Sequence, residues 1–329
     1  MTSSHVNSVL VLGATGGIGG EVGRSLLKRG WAVRAMTRNP TAAAAAQPEF
    51  EWVKGDALNA ADVRMAAARA RVIVHAVNPP GYADWGKLVL PMLDNTIAAA
   101  KSVGATIVLP GTIYNFGPDA LPVLAESSPQ NPATVKGAIR VEMERRLKQA
   151  TTEGIRAIIL RAGDFFGPSA GNNWFSQGMV SPGQKLTSIT YPGRPGIGHQ
   201  WAYLPDVAEI MVRLIEKHDT IPAFATYHME GFWDPDGTAM TEAIRRVAGD
   251  RTLTIKRFPW WMVSILWPFV PFFREVREMR YLWQQPLRMP NAHLVATIGP
   301  EPATPIDTAL QITCLLYTSD AADEGLGGD

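Results

Sequence analysis

One glycine-rich segment near the amino terminus constrains this chain more than any other feature. Gly13-Ala-Thr-Gly16-Gly-Ile-Gly19 directly follows the β-branched run at 9–12, and an amphipathic stretch at 18–28 begins inside it. Glycines at this spacing let the backbone turn tightly and approach a phosphate, whose charge is attracted by free N–H groups at a helix start. The pattern predicts dinucleotide binding, with a purely structural glycine turn as the alternative. The expected contacts are Gly13, Thr15, Gly16, Gly17, Ile18 and Gly19.

The first half of the chain alternates short apolar runs with helical stretches, a pattern typical of parallel strands joined by crossover helices. The predicted strands are 9–12, 32–36, 50–54, 72–76, 106–109 and 157–160, and the predicted helices include 60–70 and 92–103. We therefore expect an α/β fold with a Rossmann-type doubly wound parallel sheet, in which residues 1–165 form the NAD(P)-binding domain.

After Gly163 the sequence becomes rich in Gly, Pro, Asn and aromatic residues. This change indicates a smaller carboxyl-terminal substrate-binding part over residues 166–313, with some segments returning to the Rossmann core. Residues 314–329 share nothing with the preceding sequence and are similar to translated sequencing-adapter read-through. We expect them to be a non-native tail, and an authentic acidic, flexible tail is the alternative.

Composition excludes several other classes of function. A net charge of +1 gives no reason to expect nucleic acid as a partner, and the single cysteine, Cys314, excludes an internal disulfide and a Cys-based zinc site. His199, His218 and His228 lack metal-ligand spacing, so no metal is expected. No uncharged stretch reaches the length of a membrane span, and nothing at the amino terminus directs export, so the expected location is the cytoplasm.

The end of the second predicted strand bears on the choice of cofactor. A carboxylate there would bind the ribose hydroxyls of NAD, whereas an arginine would accept the additional phosphate of NADP. The chain has Thr37-Arg38 and no carboxylate, which favours NADP over NAD. Asp56, followed by Ala57, is placed to bind the adenine amine; capping of the helix at 60–70 is the alternative for this aspartate.

Four motifs together are similar to those of the extended and atypical short-chain dehydrogenases/reductases. They are the glycine motif, Gly55-Asp56, Arg161-Ala-Gly-Asp-Phe-Phe-Gly-Pro168 and His199-Gln-Trp-Ala-Tyr-Leu-Pro-Asp206, the last resembling the NAD-dependent epimerase/dehydratase group. The resemblance covers most of residues 8–310. It further implies that Ala76, Val77, Asn78 and Ala162 lie against the cofactor and that the strand-end His75 is structural.

The resemblance also implies candidate catalytic residues. The family places a Ser or Thr after the fifth strand and a Tyr-x-x-x-Lys pair on the following helix; these positions fall on Thr112 and on Lys136-Gly-Ala-Ile-Arg140, with Glu144 one turn further. The isoflavone-reductase-like branch also carries Lys-x-x-x-Arg-x-x-x-Glu, with lysine as the acid/base. Desolvation beside Arg140 would pull the pKa of Lys136 toward neutrality. The alternatives are that Lys136 and Arg140 only hold ribose and phosphate oxygens of the cofactor, or that they form exposed ion pairs with Glu144.

Tyr114 is a second candidate acid, in the loop where related dehydratases place one, and a tyrosine that only lines the pocket is its alternative. The aromatic segment 258–273 is expected to form a pocket wall or a subunit contact, as in a homodimer, with membrane-surface contact as the alternative.

The expected activity is that of an NADP-dependent reductase or dehydrogenase acting on a small, apolar carbonyl, alcohol or activated alkene. A sugar epimerase or dehydratase is one alternative, and a non-catalytic NADP-binding regulator or assembly factor is another.

Overall fold

The structure is a computed structural model that describes residues 7–79, 84–168, 170–171, 173–180, 186–269 and 271–313. The predicted tail at 314–329 lies outside these ranges, as does residue 270 of the aromatic segment. Strands in chain order are β1 (Ser8–Leu12), β2 (Ala32–Thr37), β3 (Glu51–Lys54), β4 (Val72–His75), β5 (Thr106–Gly111), β6 (Arg156–Arg161), β7 (Asp164–Phe166), β8 (Ser188–Tyr191), β9 (His199–Tyr203), β10 (Phe224–His228), β11 (Phe232–Asp234) and β12 (Thr254–Arg257).

The α-helices are α1 (Gly17–Lys28), α2 (Pro40–Ala46), α3 (Ala60–Ala66), α4 (Trp85–Val103), α5 (Val135–Thr151), α6 (Leu204–Glu216), α7 (Ala239–Val247), α8 (Trp260–Leu266), α9 (Pro271–Glu278) and α10 (Ala292–Ile298). Short 3-10 helices cover Pro118–Ala120 and Met279–Trp283, a π-helical turn covers Phe175–Met179, and residues 306–313 are helical.

The central sheet has the strand order β10-β6-β5-β4-β1-β2-β3, and every neighbouring pair is parallel. Alternate strand residues point to opposite faces, so Val9 and Val11 pack with α1 and α6 while Leu10 and Leu12 pack with α3, α4 and α5. Both faces are therefore covered by helices, which explains why the strands are apolar throughout. The predicted α/β, Rossmann-type doubly wound fold is confirmed.

The strand order reverses at β1, which lies between β2 and β4. In open parallel sheets such a reversal leaves a crevice at the carboxyl ends of the strands, where ligands bind. The glycine motif leaves β1 and residues 76–79 leave β4 at this crevice. The two segments predicted to contact a cofactor are thus neighbours.

Two predicted helices have different ends. The helix predicted over 60–70 ends at Ala66, because the chain turns there and Arg69 takes a positive φ of 70°. The helix predicted over 92–103 begins earlier, at Trp85. Trp85 and Val89 are buried and hold this additional length against the body of the protein, although Pro91 lies within it.

The carboxyl-terminal part contributes both to the central sheet and to a second, separate core. β10 extends the central sheet and α6 packs on α1. The remainder forms a three-stranded sheet, β11-β9-β7, and a parallel pair, β12-β8, around a separate aromatic-rich core. This second core lies beside the carboxyl edge of the central sheet, since Ile113 and Phe116, which follow β5, belong to it.

Candidate active site

The glycine loop has a backbone geometry that side chains would block. Gly13 has a φ of +87°, and a Cβ there would lie 2.5 Å from the carbonyl oxygen of Ala76. A Cβ on Gly19 would collide with the carbonyl oxygen of Gly13. These glycines let the loop pack against the end of β4, so the turn is structurally required, and phosphate binding by this loop stays a prediction.

The start of α1 fits an anionic ligand. Gly16 caps the helix without any side-chain hydrogen bond, and its first turn contains no acidic residue. The helix start beside the exposed Thr15 thus lacks a capping side chain, and the unpaired first N–H groups of a helix together with its dipole favour a negative charge there. The loop and helix start fit the pyrophosphate of a dinucleotide, which Gly13, Thr15, Gly16, Gly17, Ile18 and Gly19 would hold.

Two arginines, one within β2 and one directly after it, differ in their surroundings. Arg34 is held by Glu51, with 2.7 Å between Nη2 and Oε1, and also donates to the carbonyl oxygens of Ala66 and Ala68. Arg38 is exposed, and within the described ranges its guanidinium forms no hydrogen bond or ion pair. Arg38 is accordingly the arginine of this pair that is available to a phosphate.

Asp56 is not the cap of α3. The cap is Asn59, whose side chain accepts from the backbone N–H of Ala61 at 3.0 Å. Asp56 instead accepts from the N–H of Leu58 at 2.9 Å in a tight turn, and it stays partly exposed at the end of β3. The capping alternative is wrong, because the turn at Asp56 precedes the helix; contact with adenine stays a prediction. Ala57 is buried directly after it.

A cavity of about 370 Å³ opens at the carboxyl edge of the sheet. It brings together residues predicted separately from the sequence, namely Asn78, Thr112, Tyr114, Lys136 and Ala162. Further lining comes from Trp85, Phe165, Trp174, Phe258, Met262, Phe273 and Met279. The polar groups thus face an apolar, largely aromatic wall, which is the usual character of a small-molecule site.

Lys136 is fixed in the first turn of α5. Thr134 caps this helix by accepting from the N–H of Gly137 at 2.9 Å, so Lys136 lies at the positive end of the helix dipole. The Lys136 side chain is buried, with Nζ 5.7 Å from the ring centre of Trp85. Arg140 covers the same ring at 5.0 Å and donates to Oδ1 of Asn78 at 3.1 Å.

Glu144 shares the buried face of α5 with Lys136 and Arg140, but it pairs with neither. Its carboxylate binds Arg161, with distances of 3.0 Å from Nε and 2.6 Å from Nη2. The prediction of exposed ion pairs with Glu144 is wrong, because all three side chains of the helix face are buried and a deeper arginine takes the carboxylate.

Thr112 and Tyr114 both follow β5 and are partly exposed to the cavity. The Thr112 hydroxyl donates to Oδ1 of the buried Asn115 at 3.1 Å. Sequence reasoning missed Asn115 and also the pair formed by Asp164, on the cavity wall, and His199, 2.7 Å apart. Asp164 and His199 belong to two different motifs of the sequence. They meet because β7 pairs with β9, which the sequence does not indicate.

His75 is buried at the end of β4, as a structural role requires. Its Nδ1 lies 2.8 Å from Oγ1 of Thr96, whose hydroxyl donates to the carbonyl of Met92, so Nδ1 carries the proton. Burial, followed by the charge of Arg140, lowers the pKa of His75 to about 3.

The aromatic segment forms one wall of the cavity. Phe258 and Met262 line it, and Trp174 packs against Phe258 at 5.5 Å between ring centres. Three other residues of this segment, Trp261, Ile265 and Phe269, are exposed. The pocket-wall expectation agrees with this geometry, while contact with a membrane surface or a second subunit stays a prediction.

No helix in the described part of the chain is long and apolar enough to cross a membrane. The same residues contain no cluster of three or more potential metal ligands.

Comparison with known proteins gives a family and a fold. The family model described as the NAD dependent epimerase/dehydratase family matches residues 9–229. A curated relative, the 3-diazoavenalumate denitrifying reductase of a Streptomyces species, is 32% identical over 184 residues, which is 50% of this chain and 58% of that protein. The match thus spans little more than half of the relative's length.

Solved structures with low sequence identity share the fold. The UDP-glucose 4-epimerase of Brucella ovis in complex with NAD superposes with a TM-score of 0.76 at 15% identity, covering 95% of this chain and 98% of that one. The UDP-N-acetylglucosamine 4-epimerase of Bacillus cereus gives 0.72 at 16% identity, covering 94% and 96%. At such identities the likeness concerns architecture alone.

Proposed function

The chain belongs to the NAD-dependent epimerase/dehydratase family, and from this premise we propose that it is an NADP-dependent reductase or dehydrogenase acting on a small, largely apolar carbonyl, alcohol or activated alkene. The observation that carries the proposal is the cavity, in which Lys136, Thr112 and Tyr114 face a wall of aromatic side chains beside the glycine loop's crevice. The reductase name of the Streptomyces relative also supports it.

The cofactor belongs in the crevice at the switch between β1 and β4. The glycine loop would hold the pyrophosphate, and Ala76, Val77 and Asn78 would lie beside the nicotinamide end. Arg38 supports NADP over NAD because it is exposed, while Arg34 is engaged by Glu51. When bound there, the cofactor would supply hydride-transfer chemistry through its nicotinamide ring.

The protein's own residues must then handle one proton. In the reducing direction the substrate oxygen gains a proton as the carbon gains the hydride, so atoms and charge balance as a carbonyl becomes an alcohol. Lys136 is the first candidate for the proton donor, because its buried side chain lines the cavity together with Thr112. Tyr114 is a second candidate for the donor, because its phenol lies among the residues that line the cavity.

A nucleotide-sugar epimerase or dehydratase is the second candidate, and it is favoured by the family match over residues 9–229. The position where the short-chain reductases carry the tyrosine of Tyr-x-x-x-Lys holds Lys136 in this chain. The aromatic wall also offers few polar groups to a sugar. Both features favour the reductase.

The cofactor assignment is tested by titrating NADPH and NADH into native protein and two variants. Arg38→Ala should weaken NADPH binding about tenfold to a hundredfold and leave NADH binding unchanged, because a charge-assisted contact to the additional phosphate is lost. Arg34→Ala is the matched control and should change neither affinity. Tighter binding of NADH than of NADPH by the native protein would exclude the NADP assignment.

The reaction is tested by following NADPH oxidation with a panel of aromatic and aliphatic aldehydes, ketones and enones, and by product analysis with UDP-glucose. Lys136→Met should lower kcat about a hundredfold or more while NADPH still binds, and Tyr114→Phe should have a smaller effect. Loss of NADPH binding in Lys136→Met would instead assign this lysine to the cofactor. Epimerised UDP-glucose would establish the second candidate, and binding without turnover of any compound would favour the non-catalytic regulator.

A further inference from the structure

A line of hydrogen-bonded side chains runs along the carboxyl edge of the sheet and ends at the cavity. Gly111, Arg161 and His228 end β5, β6 and β10 and lie side by side in the strand register. Gly111 leaves space for its neighbour, since a Cβ there would lie 2.7 Å from Cγ of Arg161. The polar side chains of this edge connect β10 to Thr112 through the core.

The buried end of this line has fixed donors and acceptors. Arg161 can only donate, and it does so to both oxygens of Glu144 and, from Nη1, toward Nε2 of His228 at 3.0 Å. His228 must therefore accept at Nε2 and carry its proton on Nδ1, which lies 3.2 Å from the carbonyl of Leu124. Burial, followed by the charge of Arg161, lowers the pKa of His228 to about 3, in agreement with a neutral ring.

The Glu144 carboxylate fixes the orientation of two amides. As an acceptor, it requires the NH₂ of Gln130 to face it, at 3.0 Å from Oε2. The Gln130 oxygen then faces Asn115, whose Nδ2 donates to it at 3.1 Å. Reversing either amide would set oxygen against oxygen, so the orientation does not depend on choosing between similar atoms.

Thr112 is the last member of this chain of hydrogen bonds, at the cavity. With its NH₂ engaged by Gln130, Asn115 presents only Oδ1 to Thr112, and the threonine hydroxyl donates to it at 3.1 Å. A hydroxyl has one proton and two lone pairs, so the Thr112 oxygen keeps acceptor capacity on its cavity side. A threonine used in this way cannot also donate to a substrate carbonyl.

We propose that Asn115 and Gln130 are positioning residues: through their hydrogen bonds, the carboxylate of the Glu144–Arg161 pair fixes the Thr112 hydroxyl as a donor to Asn115. Thr112 therefore offers an acceptor to the cavity and selects ligands with an O–H or N–H donor at that point. The inference rests on the proposed function for the identity of the site and sharpens its substrate class. A carbonyl would then take its hydrogen bond from a different donor of the cavity, such as Lys136 or Tyr114, and Thr112 recognises the hydroxyl form.

The test is a binding comparison in the presence of NADP⁺, using 2-naphthol, which can donate, and 2-methoxynaphthalene, which can only accept. Native protein should bind 2-naphthol about fivefold to tenfold more tightly by calorimetry at neutral pH. Thr112→Val should abolish this ratio, and Thr112→Ser should retain it.

Two substitutions of Asn115 separate positioning from folding. Asn115→Leu removes the acceptor for the Thr112 hydroxyl, which can then turn into the cavity and donate, so the ratio should fall and the ether should bind more tightly. Asn115→Asp keeps an acceptor toward Thr112, and its second oxygen can face the Gln130 oxygen only as a hydroxyl that donates to it, so the buried acid should preserve the order of donors and retain the ratio. A merely structural Asn115 would lower both affinities in parallel.

Equal binding of the two probes by native protein would overturn the inference. So would an unchanged ratio in Thr112→Val, which would assign the acceptor role to Asp164 on the same wall. Neither outcome depends on turnover: an enzyme that reduces carbonyls without the predicted ratio contradicts this inference alone, and a protein with the ratio but no turnover contradicts only the proposed reaction.

Discussion

Arg161, the last residue of β6, holds the carboxylate of Glu144 on α5 through two hydrogen bonds of 3.0 and 2.6 Å, with both side chains almost completely removed from water. The pair joins the helix that carries Lys136 to the edge of the sheet. It therefore fixes the position of the candidate acid/base relative to the strand ends that line the cavity.

Breaking this pair should be costly. Arg161→Leu leaves the Glu144 carboxylate buried without its cation, and we expect a loss of about 3 to 5 kcal/mol in the free energy of unfolding, measured with urea. The matched control is Arg246→Leu, which removes an exposed pair of similar geometry with Asp307 and should cost less than about 1 kcal/mol. Equal losses of unfolding free energy in the two variants would show that the buried pair contributes no more to stability than the exposed one.

Gly13→Ala should damage both stability and cofactor binding. The new Cβ would meet the Ala76 carbonyl in a backbone region that L-residues avoid, so the loop must move away from β4. We expect destabilisation of at least about 1 to 3 kcal/mol by urea unfolding, and loss of measurable NADPH binding by calorimetry. Gly86→Ala is the control, because nothing lies within 4 Å of its Cβ position; NADPH binding that survives in Gly13→Ala would contradict the assigned cradle.

His75 should make the protein sensitive to acid. Its pKa is lowered to about 3 in the folded protein from the usual 6.5, so between these values the unfolded chain binds a proton that the folded protein does not. Stability is then fully present above pH 6.5 and falls with decreasing pH, by about 1.4 kcal/mol per pH unit for this one group.

His75→Leu should reduce the slope of unfolding free energy against pH by that amount between pH 4 and 6. Urea unfolding at several pH values measures the slope, and measurements above pH 7.5 give an internal control, since native and variant slopes should coincide there. Parallel native and variant curves at acid pH would rule out a neutral, buried His75.

The glycine motif and the alternation of apolar runs are sufficient to predict the sheet, because each is a pattern of neighbouring residues that corresponds to one backbone conformation. The cavity lining at Thr112, Tyr114 and Lys136 was reached through family resemblance. Asn115 and Gln130 could not be predicted, since their role depends on contacts across 15 and 14 residues of chain that no periodicity encodes. Glu144 was placed on the correct helix face but with the wrong partner, because Arg161 lies on a strand rather than on that helix.

The aromatic wall offers a test of the cavity that needs no knowledge of the natural substrate. Met262 lines the cavity from α8, whereas Ile265, three residues further on in the same helix, is exposed to solvent and is not among the lining residues. Met262→Trp should fill part of the cavity and weaken 2-naphthol binding roughly tenfold or more, because the added ring overlaps the ligand's space. NADPH affinity should stay the same, since the glycine loop lies elsewhere. Ile265→Trp adds a similar ring on the solvent side and should change neither affinity by calorimetry. An equal loss of 2-naphthol affinity in both variants would mean that α8 affects binding through its own folding and not by contact with the ligand. The ligand would then bind outside this cavity.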